Sequence, residues 1–599
     1  MKKDLNTING HLFIKDNKVY KVAYDKEDEP SYTQVSNYIS VVCSHINIDT
    51  GTVTVTLEYQ PLGINMSRKR KTVSADVIAC QNKIESLSAY GIDVNSTNKF
   101  DLLKYLRDEC ANAPVYCEHY KLGFDSYEDQ CFFKHNTSIG FNEESLYAGN
   151  LCIKPKGDYQ LWLSMVKTEV LGNPPMELAL LLGLSSALVG FISKDLCLES
   201  QFFHIFGESS TGKSTACALL ASTFGSPNIR EKGLVCSWNI TPNALQGMLA
   251  NNNGVPLVFE EASLANISDF SSIIYTVGEG KEKMRMNAEL EIRDPRVWST
   301  NVVSNGEFSL FEKSNNNTGL RVRLIEFDNI QFTTNALNAE KIKEVVSNNY
   351  GHCGPKFAEA LLQIGKPKVI TFFNNEKKRV RSLIPHSPIS DRLSSKLAFI
   401  TTTSKIAAKI FNLDFNTKAI TDILIEQVAR NIADGDLASQ AFLNLLEYIG
   451  TNPNLFENQY FGKSKMISSG PHVHEVTAQS MSKYNGKLIF GGINSNELQR
   501  IIIYPNILKE ILEKYFGFQS TTVILKEFKK RGWLEHEAGR LTSKRKLNGF
   551  QMRVYVIKSN HANNYIDKKY GSFSSNEVTK VIQPFEYVLD EHDNMGRVS

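Results

Sequence analysis

Residues 207–215 read Gly207-Glu208-Ser209-Ser210-Thr211-Gly212-Lys213-Ser214-Thr215 and match the pattern G-x-x-x-x-G-K-[ST] in full. The apolar run Phe202–Phe206 precedes this stretch, and Ala216–Ala221 follows it. A strand, a tight loop and a helix in this order form the context that a phosphate-binding loop requires. Glycines let backbone N–H groups turn around phosphate oxygens, and the helix N-terminus adds its dipole. The stretch therefore predicts a site for a nucleoside triphosphate.

The side chains of this loop predict the ligands. Lys213 is expected to reach the β- and γ-phosphates, and the hydroxyl of Ser214 is expected to ligate Mg²⁺. We therefore expect ATP and Mg²⁺ as cofactors, with all nine residues 207–215 contacting the nucleotide.

Composition limits the other possibilities. A chain of 599 residues is expected to hold about three to five domains. The net charge is only +3, so any basic surface must be local. The ten cysteines form no C-x-x-C pair, which favours reduced thiols over a zinc site. No signal peptide follows Met1, and the apolar segment Leu178–Ile192 is too short to span a membrane comfortably. A buried helix and a cytoplasmic, bacterial location are expected.

An apolar run ends in two acids downstream of the loop. Val255–Phe259 predicts a buried strand, followed by Glu260 and Glu261. Ligands bind at the carboxyl edge of a parallel sheet, so both acids are expected to face the nucleotide. The first acid would hold Mg²⁺ and the second would polarise the attacking water. Because Asp is usual at the first place, which acid does which job stays open.

The next predicted strand, Val297–Ser304, also ends in polar side chains. Asn305 is our first candidate for orienting the attacking water, and Ser304 is the second. The run from the Phe202–Phe206 strand to about Asp328 alternates strands with helices, which predicts a parallel sheet with helices on its faces.

Three arginines are candidates for completing the site. A strand is expected over Arg321–Phe327, and a period of two would place Arg321 and Arg323 on one face. A cationic finger that reaches a neighbour's site stabilises charge in phosphoryl transfer, and Arg323 is the first choice. Arg392 precedes the predicted helix Leu393–Ile410 and is a candidate for the γ-phosphate. An ordinary ion pair is the alternative reading for each arginine.

Two further regions carry local basic charge. Met284–Arg293 predicts a hairpin with Lys281, Lys283 and Arg285 at its base and Asn287–Glu291 near its tip; a solvated hairpin is the alternative. Residues 523–558 hold ten basic and three acidic residues within a helix–helix–strand–strand pattern. That pattern predicts a winged helix–turn–helix, whose basic face is either a phosphate-contacting surface or a solvated one.

With these residues in place, the chain resembles AAA+ ATPases of the MCM-like kind. More narrowly, it resembles the replicative helicases encoded by staphylococcal cassette chromosome elements, which share a formerly uncharacterised bacterial ATPase domain. The resemblance is carried by the following segments: Phe206–Thr215, Pro256–Ala262, Gly278–Asn287, Trp298–Glu307, Gly319–Phe327, Tyr350–Phe357 and Arg392–Ile410.

This resemblance implies a hexameric ring that threads single-stranded DNA and unwinds duplex DNA at a fork, 3′ to 5′, with ATP. The basic hairpin would point into the central channel and grip the phosphate backbone. The resemblance also implies replication of a mobile genetic element, with a primase or polymerase as a further partner and no membrane. An AAA+ regulatory or defence ATPase that binds nucleic acid without unwinding it is the alternative. A monomeric nucleotide-binding protein with a DNA-binding tail is a third reading.

The predicted fold class is a multidomain α/β protein with an AAA+ P-loop ATPase core. We expect a β-rich N-terminal domain for DNA binding or docking, the core with a parallel sheet, a helical lid, a C-terminal winged-helix domain and a tail. These parts are expected at residues 1–150, 151–345, 346–450, 451–560 and 561–599, respectively.

Overall fold

The computed structural model of the chain describes residues 7–8, 12–24, 29–63, 67–128, 130–286, 292–315, 318–460, 484–492, 495–516, 518, 520–547 and 550–570. Three large hydrophobic clusters divide these residues into an N-terminal, a central and a C-terminal part.

The N-terminal part begins with an antiparallel sheet whose strands follow one another along the chain. They are β1 (Thr7–Ile8), β2 (Leu12–Lys15), β3 (Lys18–Tyr24) and β4 (Pro30–Asn37). Strands β2 and β3 pair antiparallel and form a hairpin whose turn is Asp16-Asn17. Both turn residues have positive φ values, 48° and 58°, as a two-residue hairpin of the favoured hand requires.

A second sheet and its helices complete the N-terminal part. The elements are β5 (Ile39–Asn47), β6 (Val53–Tyr59), β7 (Lys69–Ser74), α1 (Gln81–Ile84), α2 (Lys99–Asn112), β8 (Val115–His119) and, after a further hairpin, β12 (Ser145–Tyr147). The intervening strands β9 (Leu122–Tyr127), β10 (Gln130–Lys134) and β11 (Ser138–Ile139) form a third sheet with residues 252–253, and they pack Leu122, Phe124 and Phe133 into the central cluster. The strand order is β12-β8-β5-β6-β7, so β7 lies at one edge. Helix α2 buries Leu102, Tyr105 and Leu106 against this sheet.

The central part is a parallel sheet with helices between its strands. Its elements are α3 (Tyr159–Met165), α4 (Pro174–Ile192), β13 (Gln201–Phe206), α5 (Lys213–Ser222), β14 (Val235–Ser237), α6 (Pro242–Leu249), β15 (Asn252–Asn253), β16 (Leu257–Glu260), α7 (Ser271–Glu279), β17 (Arg285–Met286), β18 (Ile292–Arg293), β19 (Asn301–Asn305), α8 (Thr318–Arg323) and β20 (Leu324–Asp328). The main sheet has the order β14-β16-β19-β13-β20, and all its pairs are parallel. The predicted parallel sheet is therefore confirmed.

One predicted strand is wrong at its start. Residues 318–323 form helix α8, and β20 begins only at Leu324, so Arg321 and Arg323 do not share a strand face. The alternation Leu320-Arg321-Val322-Arg323-Leu324 imitates a period of two. A six-residue helix is too short to show the period of 3.6 that would have revealed it.

Helix α4 carries the most apolar segment. It is the one helix, among the described residues, whose length and hydropathy would suit a membrane span, but 89% of its apolar stretch is buried inside the protein. Prolines occupy its first turn, where their missing N–H groups cost nothing. The expected buried helix is confirmed: α4 packs against α5, α10 and α12.

Five further helices pack onto the central cluster: α9 (Ala336–Asn348), α10 (Cys353–Ile364), α11 (Lys366–Arg381), α12 (Ser390–Phe411) and α13 (Thr417–Asp434). The basic run Lys377–Arg381 forms the end of α11.

The C-terminal part has its own hydrophobic cluster. Its elements are α14 (Leu437–Thr451), β21 (Phe456–Tyr460), β22 (Gly486–Gly492), β23 (Ser495–Ile503), α15 (Pro505–Lys509), α16 (Thr521–Lys530), β24 (Leu534–Glu535), β25 (Ser543–Leu547), β26 (Phe550–Lys558) and α17 (Ser559–Tyr570). Helix α14 belongs to this cluster, so the boundary between the central and the C-terminal hydrophobic clusters lies near Gly435. At the other end, α17 buries Ala562 and Ile566, while residues 571–599 lie outside the described residues.

Candidate functional site

The loop Gly207–Thr215 joins β13 to α5 at the carboxyl edge of the parallel sheet. Its backbone has positive φ at Gly207 (132°), Ser210 (66°) and Gly212 (87°). A Cβ at Gly212 would lie 2.5 Å from Thr333 Oγ1, so neither the conformation nor the space admits a side chain. The N–H of Phe332 donates to the Thr211 carbonyl at 2.8 Å and fixes the loop from the segment after β20.

Lys213 curls back over this loop. Its Nζ donates to the carbonyl oxygens of Gly207 (2.9 Å) and Glu208 (2.6 Å). The Ser209 hydroxyl donates to Glu307 Oε1 at 2.9 Å, and the Thr211 hydroxyl donates to the Glu208 carbonyl at 3.1 Å. The ammonium group therefore lies on the concave side of the loop, within reach of phosphate oxygens bound there.

Glu260 ends β16, the strand two places from β13 in the sheet. Burial raises the pKa of its carboxyl, while hydrogen bonds from Asn305 and Ser214 act in the opposite direction. Asn305 Nδ2 donates to Glu260 Oε1 at 3.2 Å. The carboxylate thus lies beside the loop hydroxyl that is the predicted metal ligand.

Glu261 follows in a left-handed backbone conformation, with φ 63°. Its N–H donates to Asn305 Oδ1 at 2.8 Å, and its carboxylate accepts from the Ser263 hydroxyl at 3.3 Å. This turn places the exposed carboxylate of Glu261 on the wall of the cavity over the phosphate loop. The two acids therefore have different surroundings, since Glu260 is half-buried beside Ser214 and Glu261 is open to the cavity.

Asn305 and Ser304, the two polar candidates at the end of β19, face different neighbours. Asn305 is 1% exposed and hydrogen-bonds both acids. Ser304 accepts from Trp238 Nε1 at 2.8 Å and lies 2.9 Å from His204 Nδ1. His204 Nε2 is 2.9 Å from the Phe308 carbonyl, which can only accept, so Nδ1 accepts the Ser304 proton. Burial lowers the pKa of His204 to about 4, which keeps this chain neutral.

A cavity of about 480 Å³ opens over the loop. It is lined by Ser209, Ser210, Gly212, Lys213, Ser214, Thr215, Glu261, Glu307, Gln331, Thr333, Asn335, Ala336, Ala339, Glu340 and Lys343. No group of three or more His, Cys, Asp or Glu side chains suited to a metal occurs among the described residues. Mg²⁺ on a nucleotide needs one or two protein ligands besides phosphate and water, and Ser214 with Glu260 meets that need.

Arg323 and Arg392 lie at the opposite edge of the sheet. Glu199, which precedes β13, accepts from Arg392 Nη2 at 2.6 Å and lies 3.5 Å from Arg323 Nη2. Strand β13 has six residues, so this cluster is about 20 Å from the phosphate loop of the same chain. Neither arginine contacts the chain's own cavity.

Arg321 points elsewhere. Its guanidinium packs over the Phe311 ring at 4.4 Å and donates to Asn431 Oδ1 at 3.4 Å. Burial raises the pKa of Glu326 to about 7, even though hydrogen bonds from Ser309 and Leu310 and the charge of Arg321 act in the opposite direction. With 8% exposure, Arg321 joins β20 to α13 inside the protein.

The predicted DNA-contacting residues lie on one exposed segment. Lys281, Lys283 and Arg285 are exposed, while Glu282 between them is buried and paired with Arg296. Strands β17 and β18 pair antiparallel, so the predicted hairpin is present. Its tip, Asn287–Glu291, lies outside the described residues.

Sequence reasoning missed the far wall of the cavity. Gln331, Thr333 and Asn335 follow β20, and Glu340 and Lys343 lie on α9. No motif marks these polar residues, because they reach the loop only through the packing of α9 against α5. Glu199 was missed for a similar reason: its contact with Arg392 spans 193 residues.

Comparison with known proteins agrees with this architecture. The profile of a domain of unknown function, DUF927, matches residues 13–297, and that of the Cch helix-turn-helix domain matches residues 472–562. The solved structure described as "SCCmec type IV Cch - active helicase" is similar over 92% of this chain and 98% of its own, with 24% sequence identity and a TM-score of 0.71. No curated protein sequence matches the chain. The resemblance found in the sequence is therefore confirmed at the level of the fold, and so is a C-terminal helix–turn–helix domain.

Proposed function

We propose that this protein is an ATP-dependent DNA helicase with an AAA+ core. The observation that carries the proposal is the convergence of the phosphate loop, Glu260, Glu261 and Asn305 at one edge of a parallel sheet. The similarity in fold to a protein described as an active Cch helicase supports the coupling of this site to DNA unwinding.

Each residue of the site has one role in the proposal. The backbone of Gly207–Thr215 and the Lys213 ammonium bind the triphosphate, and Ser214 with Glu260 holds Mg²⁺, which neutralises charge on the phosphates. Glu261 takes the proton from the attacking water, since its carboxylate is exposed to the cavity. Asn305 fixes the backbone of Glu261 and the carboxylate of Glu260 at the same time. This arrangement favours Glu260 as the metal ligand and Glu261 as the base.

The distance of Arg323 and Arg392 from the chain's own loop supports an assembly of several subunits. Both lie about 20 Å away, at the other edge of the sheet. A neighbouring subunit that docks its phosphate loop against this edge would receive both cations at its γ-phosphate. We propose a hexameric ring that has such shared sites and translocates 3′ to 5′ in the bacterial cytoplasm, for replication of a mobile element with a primase or polymerase.

The basic hairpin is proposed to grip DNA. Lys281, Lys283 and Arg285 are exposed on a segment that lies, along the chain, between β16 and β19, the strands that end in Glu260 and Asn305. The basic wing, β25 and β26, is proposed as a second contact to DNA phosphates.

Strand separation tests the proposal directly. Forked duplexes with a 3′ or a 5′ tail are incubated with ATP, and the mass of the complex is measured with nucleotide bound. We expect ATP-dependent unwinding of the 3′-tailed fork, and its loss in Lys213→Ala. ATP hydrolysis without any strand separation would support the regulatory alternative instead.

The hairpin has a matched control. Lys281→Gln/Lys283→Gln/Arg285→Gln is compared with Lys368→Gln/Lys409→Gln/Lys418→Gln, which removes three exposed charges from the helical part. Only the hairpin variant is expected to lose unwinding. Equal loss in both variants would contradict a specific grip by the hairpin.

A further inference from the structure

Four consecutive cations occupy the start of an edge strand in the N-terminal part. Arg68 precedes β7, and Lys69, Arg70 and Lys71 are its first residues. In its sheet, β7 pairs with β6 and with no other described strand. The side chains of Arg68 and Arg70 are 42% and 66% exposed.

The start of this strand contacts the turn between β2 and β3. Arg68 Nη2 donates to Asn17 Oδ1 in that turn at 2.7 Å. Lys15 and Lys18 lie opposite each other on its two sides. We call the six cations Lys15, Lys18, Arg68, Lys69, Arg70 and Lys71 the β7 surface. Two carboxylates, Asp16 and Glu58, lie among these six cations, so the net charge of the region is positive.

Three cations of the β7 surface, Arg68, Arg70 and Lys71, are held in place by their neighbours. Glu58 accepts from Arg70 Nε at 3.0 Å and lies 3.4 Å from Arg68 Nη1, and these partners lower its pKa. The Arg68 guanidinium lies 3.6 Å from the Tyr38 ring centre. Lys71 Nζ is 4.5 Å from the Tyr90 ring centre. Ordered cations lose less entropy on binding an anion than free ones do.

The same contacts bear on the identity of the anion. A ring covered by a cation does not offer its face to an unpaired base, and proteins that bind single strands rely on such stacking. Lys15 Nζ also lies over the face of Tyr32, 5.8 Å from the centre of the ring. Along β7 the cations alternate between the two faces of the sheet, with Arg68 and Arg70 beside Glu58 on one face and Lys69 and Lys71 on the other. The β7 surface therefore presents positive charge on both sides of the sheet edge, where a phosphate backbone could lie. Lysines on an edge strand also discourage pairing with other chains, but that effect does not require cations ordered by rings and by a shared carboxylate.

We propose that the β7 surface binds the phosphate backbone of double-stranded DNA, independently of base sequence. This proposal rests on the proposed function, because it assumes that duplex DNA is part of the substrate. It assigns to the N-terminal part a contact with the duplex, separate from the hairpin of the central part.

Duplex affinity and its salt dependence test the proposal. Lys69→Gln/Arg70→Gln/Lys71→Gln is compared with Lys104→Gln/Arg107→Gln/Lys154→Gln, which removes three other exposed charges. Binding of a blunt duplex and of a single strand of equal length is measured across salt concentrations in the full-length protein without nucleotide. Each lost phosphate contact reduces the salt slope for duplex DNA by about 0.9. We expect the slope to fall by ~2–3 and duplex affinity to fall about tenfold or more near 0.15 M salt.

The remaining arms separate the alternatives. Lys69→Arg/Arg70→Lys/Lys71→Arg is expected to keep duplex affinity, because phosphate contacts need the charge. Equal losses in the glutamine and control variants would overturn the proposal, as would equal losses for duplex and single strand. Unchanged duplex affinity with new self-association would assign the cations to edge protection instead. A wild-type protein that binds duplex through the β7 surface yet never unwinds it would refute the helicase function alone.

Discussion

Arg392 and Glu199 form an ion pair at the amino edge of the parallel sheet, with Nη2 2.6 Å from Oε1. The same oxygen lies 3.5 Å from Arg323 Nη2. One carboxylate therefore holds the two arginines that sequence analysis had selected separately, from α8 and α12. Lys396, one turn after Arg392, is buried beside them, and burial lowers its pKa to about 8.

Glu199 is therefore expected to orient both arginines for a γ-phosphate of the next subunit. Glu199→Gln keeps the shape but removes the charge, so kcat for ATP hydrolysis should fall about tenfold or more, while nucleotide affinity changes little. Glu279→Gln is the control, because Glu279 is 56% exposed and lies 3.7 Å from Arg323. Steady-state kinetics and binding of a fluorescent ATP analogue give the two quantities. A fall in affinity as large as the fall in kcat would contradict this role.

Substitutions of the two acids at the end of β16, Glu260 and Glu261, should affect Mg²⁺-dependent ATP binding and ATP hydrolysis differently. Glu260→Gln is expected to weaken Mg²⁺-dependent ATP binding, because Glu260 lies beside Ser214. Glu261→Gln should still bind Mg²⁺-ATP but hydrolyse it about 10²–10⁴-fold more slowly, since it has lost the general base. Titration of Mg²⁺ in binding and hydrolysis assays distinguishes them. The reverse pattern would exchange the two roles.

Substitution of Asn305 should lower both kcat and stability, whereas substitution of Ser304 should lower mainly stability. Asn305→Ala leaves the Glu261 N–H without its 2.8 Å acceptor and Glu260 without one donor, so kcat should fall and about 1–3 kcal/mol of stability should be lost. Ser304→Ala interrupts the chain from Trp238 to His204, so it should lower Tm with a smaller effect on kcat. Thermal unfolding and ATPase assays on both variants check this contrast. Similar kcat losses at similar Tm values would remove the distinction.

Some of these elements and site residues could be predicted from the sequence, and others could not. The carboxyl ends of β13, β16 and β19 were predictable, because apolar runs such as Val255–Phe259 are followed directly by polar residues and parallel strands end at one edge. The short edge strand β14 was not predicted. The loop motif was predictable because its chemistry depends on spacing alone. Helix α8 was not, because six residues are too few to show a helical period. Glu199 and the α9 wall of the cavity were not, because they meet their partners only through tertiary packing.

Glu326 should make stability depend on pH. Burial raises the pKa of the Glu326 carboxyl from 4.5 to about 7. Between these two pH values, Glu326 is therefore mostly protonated in the folded protein and mostly ionised in the unfolded chain. The stabilisation from that proton is complete below pH 4.5 and is lost as the pH rises through 7. Glu326→Gln mimics the protonated form, so its Tm relative to wild type should rise by on the order of a few °C between pH 5 and pH 8. Glu426→Gln, in which the carboxylate is 59% exposed, is the control and should show little pH dependence. A Tm difference that stays constant with pH would contradict the raised pKa.

Mixed oligomers should recover activity if the sites are shared between subunits. Lys213→Ala removes the phosphate contact and Arg323→Ala removes the proposed finger, so each variant alone should be inactive. When subunits of both kinds assemble together, about a quarter of the interfaces pair an intact loop from one kind with an intact Arg323 from the other. The mixture should then regain up to that share of wild-type ATPase activity. Native mass measurements must show that mixed oligomers form. If they form without regaining activity, Arg323 acts within its own chain, as part of the ion-pair cluster around Glu199.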